Sequence, residues 1–416
     1  MSEMKGWKEA ILERIANVNM GQSPDSQFYN DNNIGIPFLQ GCADFGNYYP
    51  HTNVCTTDIK KLSPENSILF SVRAPVGKIN FSDKQYCIGR GLASIESKEI
   101  SQLLLYYILL SKENELNCLS QGSTFASINS KQLKELSVFF PICDCEQRKI
   151  AEILSTIDKA IEQTETLIAK YKNIKKGLMH NLLTYGIDKE GNVRNPNTHT
   201  FVEKNGMVVP EEWEVRRVDE LSNVTGGKRL PAGHDYSENR NGFKYLRVTD
   251  FYNKNVDYQN LENLEESTFN ILERYEIFNK DLFISIAGSI GYVGVFKSDI
   301  SDRIILTENA LRINLFEVVV PEYLSFQINS EIVQKQIWSE IGTGGGVPKL
   351  AMHRVKSLLI PHPIINKEYN EQQKIIDVID AKDKLIESEE TNLAKLQKQK
   401  QGLMQDLLTG KVRVKI

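Results

Sequence analysis

The stretch EQRKIAEILSTIDKAIEQTETLIAKYKNIKKGLMHNLLT, residues 146–184, occurs twice in this chain. Its second copy is EQQKIIDVIDAKDKLIESEETNLAKLQKQKQGLMQDLLT, residues 371–409. The copies align without a gap and are identical at about half of their positions. Because a repeat of this size determines the architecture before any local pattern does, the chain is predicted to consist of two related halves.

Each copy has the apolar spacing of one long helix with a coiled-coil seam. The first seam contains Ile150, Leu154, Ile157, Ile161, Ile168, Leu178 and Leu182, with polar interruptions that include Thr164 and Lys175. The second seam contains Ile375, Ile379, Ile386, Leu393, Leu396, Leu403 and Leu407, interrupted by Lys382, Glu389 and Lys400. Neither copy contains proline, and about 39 helical residues span roughly 58 Å. A lone seam would expose an apolar stripe, so the two helices are predicted to pack on each other.

The segments that precede the two helices are also related. Each opens with a tryptophan, Trp7 or Trp213, and continues with a glycine turn and a strand-like run ending in Asp-Phe. An alternating strand, an apolar helical stretch (103–110 or 323–332) and a last strand then lead through proline into the long helix. Short alternating runs punctuated by proline and glycine predict mixed α/β domains of about 140 to 160 residues.

The predicted fold class is therefore α/β (α+β), with two pseudo-symmetric α/β domains joined by two long antiparallel coiled-coil helices. The predicted segments are a first domain at 1–145, a central helix at 146–190, a connector with the second domain at 191–370, and a C-terminal helix at 371–416. The polar, turn-rich stretch 185–209 is predicted to be a connecting loop or hairpin.

Composition narrows the class of protein. The 416 residues are 41% hydrophobic and 25% charged, which is ordinary for a soluble globular chain. We expect no signal peptide and no membrane segment, because the longest apolar run, 103–110, is too short to cross a bilayer. The six cysteines form no CxxC pair, so neither a zinc site nor a disulfide framework is predicted, and a reducing cytoplasm fits. A net charge of −4 argues against a protein that binds nucleic acid unaided.

Motifs of catalysis are missing from the sequence. The nearest match to the (N/D/S)PP(Y/F) loop of amino-methyltransferases is Asn195-Pro196-Asn197-Thr198, which lacks the second proline and the aromatic residue. There is no Walker A lysine motif and no HExxH motif, and the glycine run at 342–346 lacks GxGxxG phasing. We therefore expect a protein that is not an enzyme by itself.

Taken together, the repeated motifs resemble one family, the specificity subunit of Type I restriction–modification systems. The motifs that carry the resemblance are the helix starts EQRKIAEIL and EQQKIIDVI, the helix ends GLMHNLLT and GLMQDLLTGKVRV, the Trp-Glu openings, FSVRAPVG, GST-F and the FFPI/PHPI run-in. The resemblance covers essentially the whole chain. It implies that the two globular segments are target recognition domains, each reading one half of a split, asymmetric DNA site. It also implies that the paired helices set the spacer length and dock methyltransferase subunits.

The same resemblance implies the partners. These are double-stranded DNA, two adenine methyltransferase (modification) subunits and restriction/translocase subunits, in the cytoplasm of a bacterium or archaeon. No cofactor is expected in this chain, because S-adenosylmethionine, ATP and Mg²⁺ belong to the partner subunits. The alternative is a two-headed coiled-coil scaffold whose heads bind proteins, which the slightly acidic charge favours a little.

Candidate DNA contacts are chosen by residue type at predicted turns, since Arg and Lys pair with guanine, Gln and Asn pair with adenine, and hydroxyls hold phosphates. In the first domain they are Gln22, Ser23, Arg73, Lys78, Arg90, Ser123 and Thr124. In the second they are Lys228, Arg229, Arg247, Ser289 and Lys349. A solvated surface charge or a turn-stabilising hydroxyl remains the alternative for each. The recurring Asp44 and Asp250 are predicted to be structural, because a carboxylate repels phosphate.

Apolar residues near the two helix ends are predicted to be exposed and to dock partner subunits. They are Leu178, Met179, Leu182 and Leu183 in the first copy and Leu403, Met404, Leu407 and Leu408 in the second. Packing of these residues against the other long helix remains the alternative.

Overall fold

A computed structural model describes residues 5–113, 116, 127–252, 255–297, 301–316, 318–339, 348–365 and 370–415. The chain forms two compact units. Unit 1 comprises Met1–Leu167 and Glu389–Ile416, and unit 2 comprises Ile168–Ser388. The first part of each long helix therefore shares a unit with the last part of the other.

Both predicted long helices are present. The first spans Asp144–Tyr185 and the second Glu371–Leu408. In unit 1, the ammonium of Lys400 lies 2.7 Å from the carboxylate of Asp158. In unit 2, Lys175 pairs in the same way with Asp383. Since Asp383 is the repeat copy of Asp158 and Lys400 that of Lys175, the lysine that interrupts each seam forms the same ion pair in each unit.

Within each unit the two helix segments run antiparallel. In unit 1, residue 158 contacts residue 400 and residue 146 contacts residue 413. Residue numbers therefore increase along one segment in the direction in which they decrease along the other. In unit 2, residue 175 meets residue 383 in the same sense, and Glu371 meets Arg194 just beyond the end of the first helix. The predicted antiparallel pairing is confirmed in each unit.

The globular part of unit 1 alternates short strands with short helices. Its strands are Trp7–Ile11, Ala16–Met20, Tyr29–Asn30, Ile36–Leu39, Cys55–Thr56, Leu62–Ser63, Ile68–Ser71, Ile79–Phe81, Tyr86–Ile88, Leu92–Ser97 and Ser137–Pro141. Its described helices are Leu12–Ile15, Gln102–Ser111 and Ser130–Lys134, with 3₁₀ turns at Ser26–Phe28 and Cys42–Asp44. The apolar stretch predicted to be helical at 103–110 is the middle helix, which Ser101 caps by accepting from the amide of Leu104.

The globular part of unit 2 has the same kinds of element. Its strands are Phe201–Lys204, Met207–Pro210, Trp213–Arg217, Ser222–Gly226, Phe243–Leu246, Phe251–Tyr252, Asn255–Val256, Glu262–Asn263, Glu276–Ile277, Leu282–Ser285, Val293–Val295, Arg303–Leu306, Ala310–Leu315 and Leu359–Pro363. Its described helices are Val218–Leu221, Glu266–Leu272, Pro321–Ile328, Glu331–Ser339 and Met352–Ser357, with 3₁₀ turns at Val248–Asp250, Tyr258–Asn260 and Glu273–Tyr275. The connector contains the hairpin Phe201–Lys204 with Met207–Pro210.

Strand order shows that the two globular parts share one topology. Each has a four-stranded antiparallel sheet with the same strand order. In unit 1 the order is Ala16–Met20, Leu92–Ser97, Ile68–Ser71 and Ile79–Phe81, and in unit 2 it is Ser222–Gly226, Ala310–Leu315, Leu282–Ser285 and Val293–Val295. Each also has a two-stranded ladder in which the opening tryptophan faces a proline, Trp7 opposite Pro141 and Trp213 opposite Pro363. A second sheet contains one parallel pair, Ile36–Leu39 with Tyr86–Ile88 in unit 1 and Phe243–Leu246 with Arg303–Leu306 in unit 2. The predicted pair of pseudo-symmetric α/β domains is confirmed.

Each core includes residues from both long helices. In unit 1, Ile150 and Leu154 from the first helix and Leu407 from the second are buried with the sheet and helix residues of that unit. In unit 2, Leu182 from the first helix and Ile375 from the second are buried in the same way. The helices are therefore core elements of the domains rather than bare rods.

A glutamate at the start of each long helix ties these elements together. In unit 2, Glu371 is 4% exposed and accepts hydrogen bonds from Arg194 at 2.5 and 3.0 Å, from the Trp213 indole at 3.1 Å and from the Ile187 amide at 2.8 Å. In unit 1, its copy Glu146 accepts only from Arg413, at 2.5 and 2.7 Å, among the hydrogen bonds of the described residues. The indole N–H of Trp7, the counterpart of Trp213, finds no partner within the described part of the chain.

The next residue anchors the helix to its own domain. The side chain of Gln147 accepts from the Ser101 amide at 2.9 Å and donates to the Pro141 carbonyl at 2.9 Å. Gln372 does the same with the Val320 amide at 2.8 Å and the Pro363 carbonyl at 2.7 Å. The Glu-Gln pair that begins each copy of the repeat is thus buried and connects the start of the helix to its domain through hydrogen bonds.

We predict that Glu371→Ala destabilises unit 2 far more than Glu146→Ala destabilises unit 1. Removing one partner of a buried ion pair costs about 3–5 kcal/mol, because the remaining buried charge loses the hydrogen bonds that this partner supplied. The Arg194 side chain is 6% exposed, whereas that of Arg413 is 46% exposed and stays hydrated when its partner is lost. Hydrogen exchange followed by mass spectrometry measures the protection of each unit separately. Equal losses of protection in the two variants would contradict this prediction.

His362 makes the stability of unit 2 depend on pH, whereas the equivalent position of unit 1 has no titratable side chain. It is buried in the strand Leu359–Pro363, and burial lowers the pKa of its imidazole. The strand register places Phe140 at the equivalent position of unit 1. The unfolded chain protonates this histidine more readily than the folded chain does. The free energy of unfolding of unit 2 is therefore highest above the ordinary histidine pKa of about 6.5 and decreases as the pH falls below that value.

We predict that His362→Phe protects unit 2 from acid. The difference in melting temperature between this variant and the parent chain is expected to grow as pH falls from 7.5 to 5.5. The exposed His353, changed to Phe, is the matched control and is expected to show no such pH-dependent difference. Parallel curves for His362→Phe and the parent chain over this pH range would exclude the effect.

Candidate nucleic-acid interface

Three turns of unit 1 converge at residues 21–23, 40–41 and 89–91, which we call the turn cluster of unit 1. The amide of Gly21 donates to the Leu92 carbonyl at 2.8 Å, and that of Gln22 donates to the Ile88 carbonyl at 2.9 Å. The amide of Gly89 donates to the Leu39 carbonyl at 2.8 Å. Backbone hydrogen bonds thus fix the three turns against one another.

Glycine is required where these turns touch. A Cβ atom on Gly21 would lie 2.7 Å from the Ile88 carbonyl oxygen, and one on Gly91 would lie 2.6 Å from the Gln40 carbonyl oxygen. Real side chains do not approach backbone that closely, so the cluster depends on these glycines. Its exposed side chains are consequently presented from a rigid frame.

Unit 2 contains the same frame at residues 227–229, 247 and 307–309, which we call the turn cluster of unit 2. The amide of Gly227 donates to the Ala310 carbonyl at 3.1 Å, that of Lys228 to the Leu306 carbonyl at 2.9 Å, and that of Thr307 to the Leu246 carbonyl at 3.0 Å. These bonds match those of unit 1 one for one. The equivalent positions are Gln22 and Lys228, Ser23 and Arg229, Gln40 and Arg247, and Arg90 and Glu308.

In unit 1 the turn cluster brings together three of the residues predicted to contact DNA. Gln22 and Arg90 are exposed, and the hydroxyl of Ser23 accepts from the Arg90 amide at 3.2 Å. The hydroxyl also accepts from the side chain of Gln40 at 3.4 Å. Gln40 is exposed and was missed by the sequence analysis. Gln40 is equivalent to Arg247 when the two halves of the chain are aligned, and this equivalence is the signal that would have identified it.

The other candidates of unit 1 lie elsewhere. Arg73 and Lys78 flank the turn between the strands Ile68–Ser71 and Ile79–Phe81, and both are exposed. Arg73 also forms a backbone bridge with Ser127. Neither Arg73 nor Lys78 has an ion-pair partner among the described residues. Ser123 and Thr124 lie outside the described residues, so their contacts stay predictions.

In unit 2 the three cationic candidates of the turn cluster differ in availability. Lys228 is exposed, and Arg229, 76% exposed, pairs with Glu308 at 3.3 Å. Arg247 donates to Asp250 at 2.8 and 3.1 Å, to the Asn260 carbonyl at 3.3 Å and to Glu262. The hydrogen bond with Asp250 raises the pKa of the Arg247 guanidinium. A bidentate contact of Arg247 with guanine would need these bonds to break, because four of its five N–H donors are engaged.

Two further groups complete this side of unit 2. Asp250 is buried and also accepts from the Arg247 amide at 2.8 Å, which is the structural role predicted for it. The hydroxyl of Tyr245 lies 3.3 Å from Glu308, and burial raises the pKa of this tyrosine to about 12. Glu308 is therefore held between a neutral phenol and a guanidinium.

Ser289 and Lys349 are the remaining candidates of unit 2, and both are exposed. Ser289 lies in the turn between Leu282–Ser285 and Val293–Val295, the counterpart of the turn that carries Arg73. Lys349 is exposed next to Leu350, whose amide donates to the Ile286 carbonyl at 2.9 Å. In unit 1 the matching bond joins the Ile128 amide to the Val72 carbonyl. Both units thus have a second turn beside the same backbone hydrogen bond between distant segments of the chain.

The prediction that the helix-end residues are exposed is wrong for half of them. Leu182, Leu183, Leu407 and Leu408 are 1%, 2%, 4% and 8% exposed and belong to the cores. The other four, Leu178, Met179, Leu403 and Met404, are half-buried at the edges of those cores. The physical reason is that each helix end packs into a domain core, which for the first helix begins with Ile187 and for the second helix is the core of unit 1.

A cleft with a mixed lining lies beside the end of the second long helix. In unit 1 this cleft of about 1670 Å³ is lined by apolar residues, among them Trp7, Phe139, Ile142, Met404 and Leu408, and by polar residues, among them Lys8, Lys400 and Gln401. Ile142 is 62% exposed, and in unit 2 its counterpart Ile364, also directly after the proline that ends the last strand, is 54% exposed. The same repeated position thus exposes a large apolar residue in each unit.

No cluster of three or more His, Cys, Asp or Glu side chains within the described residues is arranged to hold a metal ion. None of the helices in the described part of the chain combines the length and apolarity that a membrane span needs.

Comparison with protein families gives a match in two segments. The model of the Type I restriction modification DNA specificity domain matches residues 4–173 and 210–398, one segment in each half of the chain.

Relatives share the same description. A protein of Methanocaldococcus jannaschii assigned as specificity subunit to the type I restriction enzyme MjaX is 38% identical over 174 residues, 41% of each chain. The MjaVIII specificity subunit of the same organism is 26% identical over 343 residues, which are 80% of this chain and 76% of the relative. The EcoBI specificity subunit of Escherichia coli is 18% identical over 98% of this chain and 86% of its own length.

Solved structures agree on the fold. The S subunit of a Type-I restriction-modification system from M. genitalium superposes over 98% of both chains with a TM-score of 0.56 and 15% identity. A chain from a structure of type I R-M complex assembly gives a TM-score of 0.63 at 12% identity, over 97% of this chain and 98% of that one. At these identities the likeness concerns the fold alone.

Proposed function

Since this chain belongs to the family of Type I restriction modification DNA specificity domains, we propose that its two domains read the two halves of one bipartite, asymmetric DNA site. The chain is a specificity subunit of a Type I restriction–modification system. The proposal goes further in assigning one half-site to each unit. In this proposal the subunit itself catalyses no reaction.

The observation that carries the proposal is a repeated frame with different side chains. Both turn clusters are built from the same backbone hydrogen bonds. Unit 1 presents Gln22, Gln40 and Arg90, whereas unit 2 presents Lys228 and Arg229. Base edges are distinguished by donor and acceptor patterns, so two frames with different side chains suit two different half-sites.

Partner subunits supply the chemistry in this proposal. Two adenine methyltransferase subunits dock on the chain, and restriction/translocase subunits join the full complex. S-adenosylmethionine, ATP and Mg²⁺ are held by those partners. The chain positions the methyltransferases over adenines that are flipped out of the duplex for methylation. With a net charge of −4, the chain depends on its local cations and on its partners for phosphate contacts.

We predict that the chain, co-expressed with the methyltransferase subunit of its own locus, methylates adenines in a bipartite motif with a fixed gap. Single-molecule sequencing of the host DNA detects the methylated adenines. The double change Lys228→Ala with Arg229→Ala is expected to relax the half-site read by unit 2 and to leave the other half unchanged. Methylation without sequence preference would exclude the specificity role and favour the scaffold alternative.

We predict that the exposed isoleucines dock the methyltransferases. Ile142→Glu and Ile364→Glu are each expected to remove one methyltransferase subunit from the purified complex, because a charge in an apolar contact must be desolvated. Native mass spectrometry measures the stoichiometry. Ile34→Glu is the matched control, since Ile34 is 58% exposed but lies in the loop 31–35 of unit 1. A full complement of methyltransferase in both test variants would rule out this docking surface.

A further inference from the structure

We propose that Gln40 is a base-reading residue of unit 1 that selects adenine, and that Ser23 positions it. This inference rests on the proposed function and adds one named contact to it. It arises from the fold, because residues 23 and 40 are adjacent only after three turns converge.

The backbone of Gln40 is fixed on both sides. It directly follows the strand Ile36–Leu39, and the Leu39 carbonyl accepts from the Gly89 amide at 2.8 Å. The Gln40 carbonyl lies so close to Gly91 that any Cβ there would collide with it. The side chain of Gln40 is nevertheless exposed. A rigid backbone that carries an exposed amide is suited to reading, because little conformational freedom is lost on binding.

Ser23 orients the amide. Its hydroxyl oxygen accepts from Nε2 of Gln40 at 3.4 Å and from the Arg90 amide at 3.2 Å. A primary amide has two N–H donors and one carbonyl acceptor. One N–H and the carbonyl oxygen of Gln40 therefore have no partner among the described residues, and an amide N–H with its carbonyl matches N7 and the N6 amino group of adenine in the major groove.

The equivalent position of unit 2 shows why the choice falls on Gln40. Arg247 occupies that position, and Asp250, Glu262 and the Asn260 carbonyl engage four of its five N–H donors. A locked arginine at the same place provides no bidentate pair. Gln40 uses only one hydrogen bond among the described residues, so the two units differ in what this position offers to a base.

The test uses the purified complex of the full chain with its methyltransferase. The complex selects sequences from a DNA library in which each position of the parent motif is randomised in turn. Gln40→Ala is expected to reduce the preference for adenine about 5- to 150-fold at one position of one half-site, with the other half unchanged. Gln40→Glu is expected to shift that position toward cytosine, because a carboxylate accepts from the cytosine amino group.

Two further variants separate reading from positioning and from folding. Ser23→Ala is expected to weaken the adenine preference at the same position, and Ser23→Thr, which keeps the hydroxyl, is expected to restore it. Gln399→Ala is the matched control, because Gln399 is an exposed glutamine of unit 1 on the second long helix. It is expected to select the parent motif unchanged.

The outcomes distinguish this inference from the function on which it rests. A parent complex that selects no bipartite motif overturns the proposed function and this inference with it. A parent complex that selects such a motif, together with a Gln40→Ala complex that selects it with the same adenine preference, overturns the role of Gln40 alone. If Gln40→Ala selects nothing, Gln40→Glu decides. A changed base at one position supports the assignment, and an unchanged base overturns it.

Discussion

The buried carboxylate of Glu371 is the interaction on which the architecture of unit 2 depends. It receives hydrogen bonds from Arg194, beyond the end of the first long helix, and from the opening tryptophan of the domain, Trp213. The start of the second helix, the end of the first and the entry to the domain therefore meet at one charge. A buried charge without such partners would be too costly to keep, so each of the three segments must be in place for the others to be stable. Glu146 and Arg413 repeat the contact in unit 1 with a more exposed arginine.

This arrangement separates the frame from the surface it presents. Glutamate and glutamine at the helix starts, glycine in the turns and backbone hydrogen bonds build the same domain twice. None of these interactions uses the side chains that face solvent from the turn clusters. Positions such as Gln22 and Lys228 can therefore differ between the units without loss of the frame. A protein whose two domains read different half-sites needs this separation, because a change of specificity must leave the fold intact.

The sequence predicts the helices well because their signals are local. The period of the apolar residues and the absence of proline indicate both long helices, and they are observed at Asp144–Tyr185 and Glu371–Leu408. The fate of the helix ends could not be predicted in this way. Leu182 and Leu407 continue the same seam, yet each is buried by a domain that no local pattern connects to it. The predicted helical stretch 323–332 also divides into two helices, Pro321–Ile328 and Glu331–Ser339.

The sequence also could not predict which cations of the candidate interface are available to bind DNA. Residue type selected both Arg247 and Lys228, because both are cations at predicted turns. Only the fold reveals that Arg247 is engaged by Asp250 and Glu262, whereas Lys228 has no ion-pair partner among the described residues. The net charge of −4 adds a consequence, since a chain whose net charge is negative gains little general affinity from phosphates. In the proposed function the turn clusters therefore contribute discrimination between bases, and the complex as a whole supplies most of the affinity for DNA.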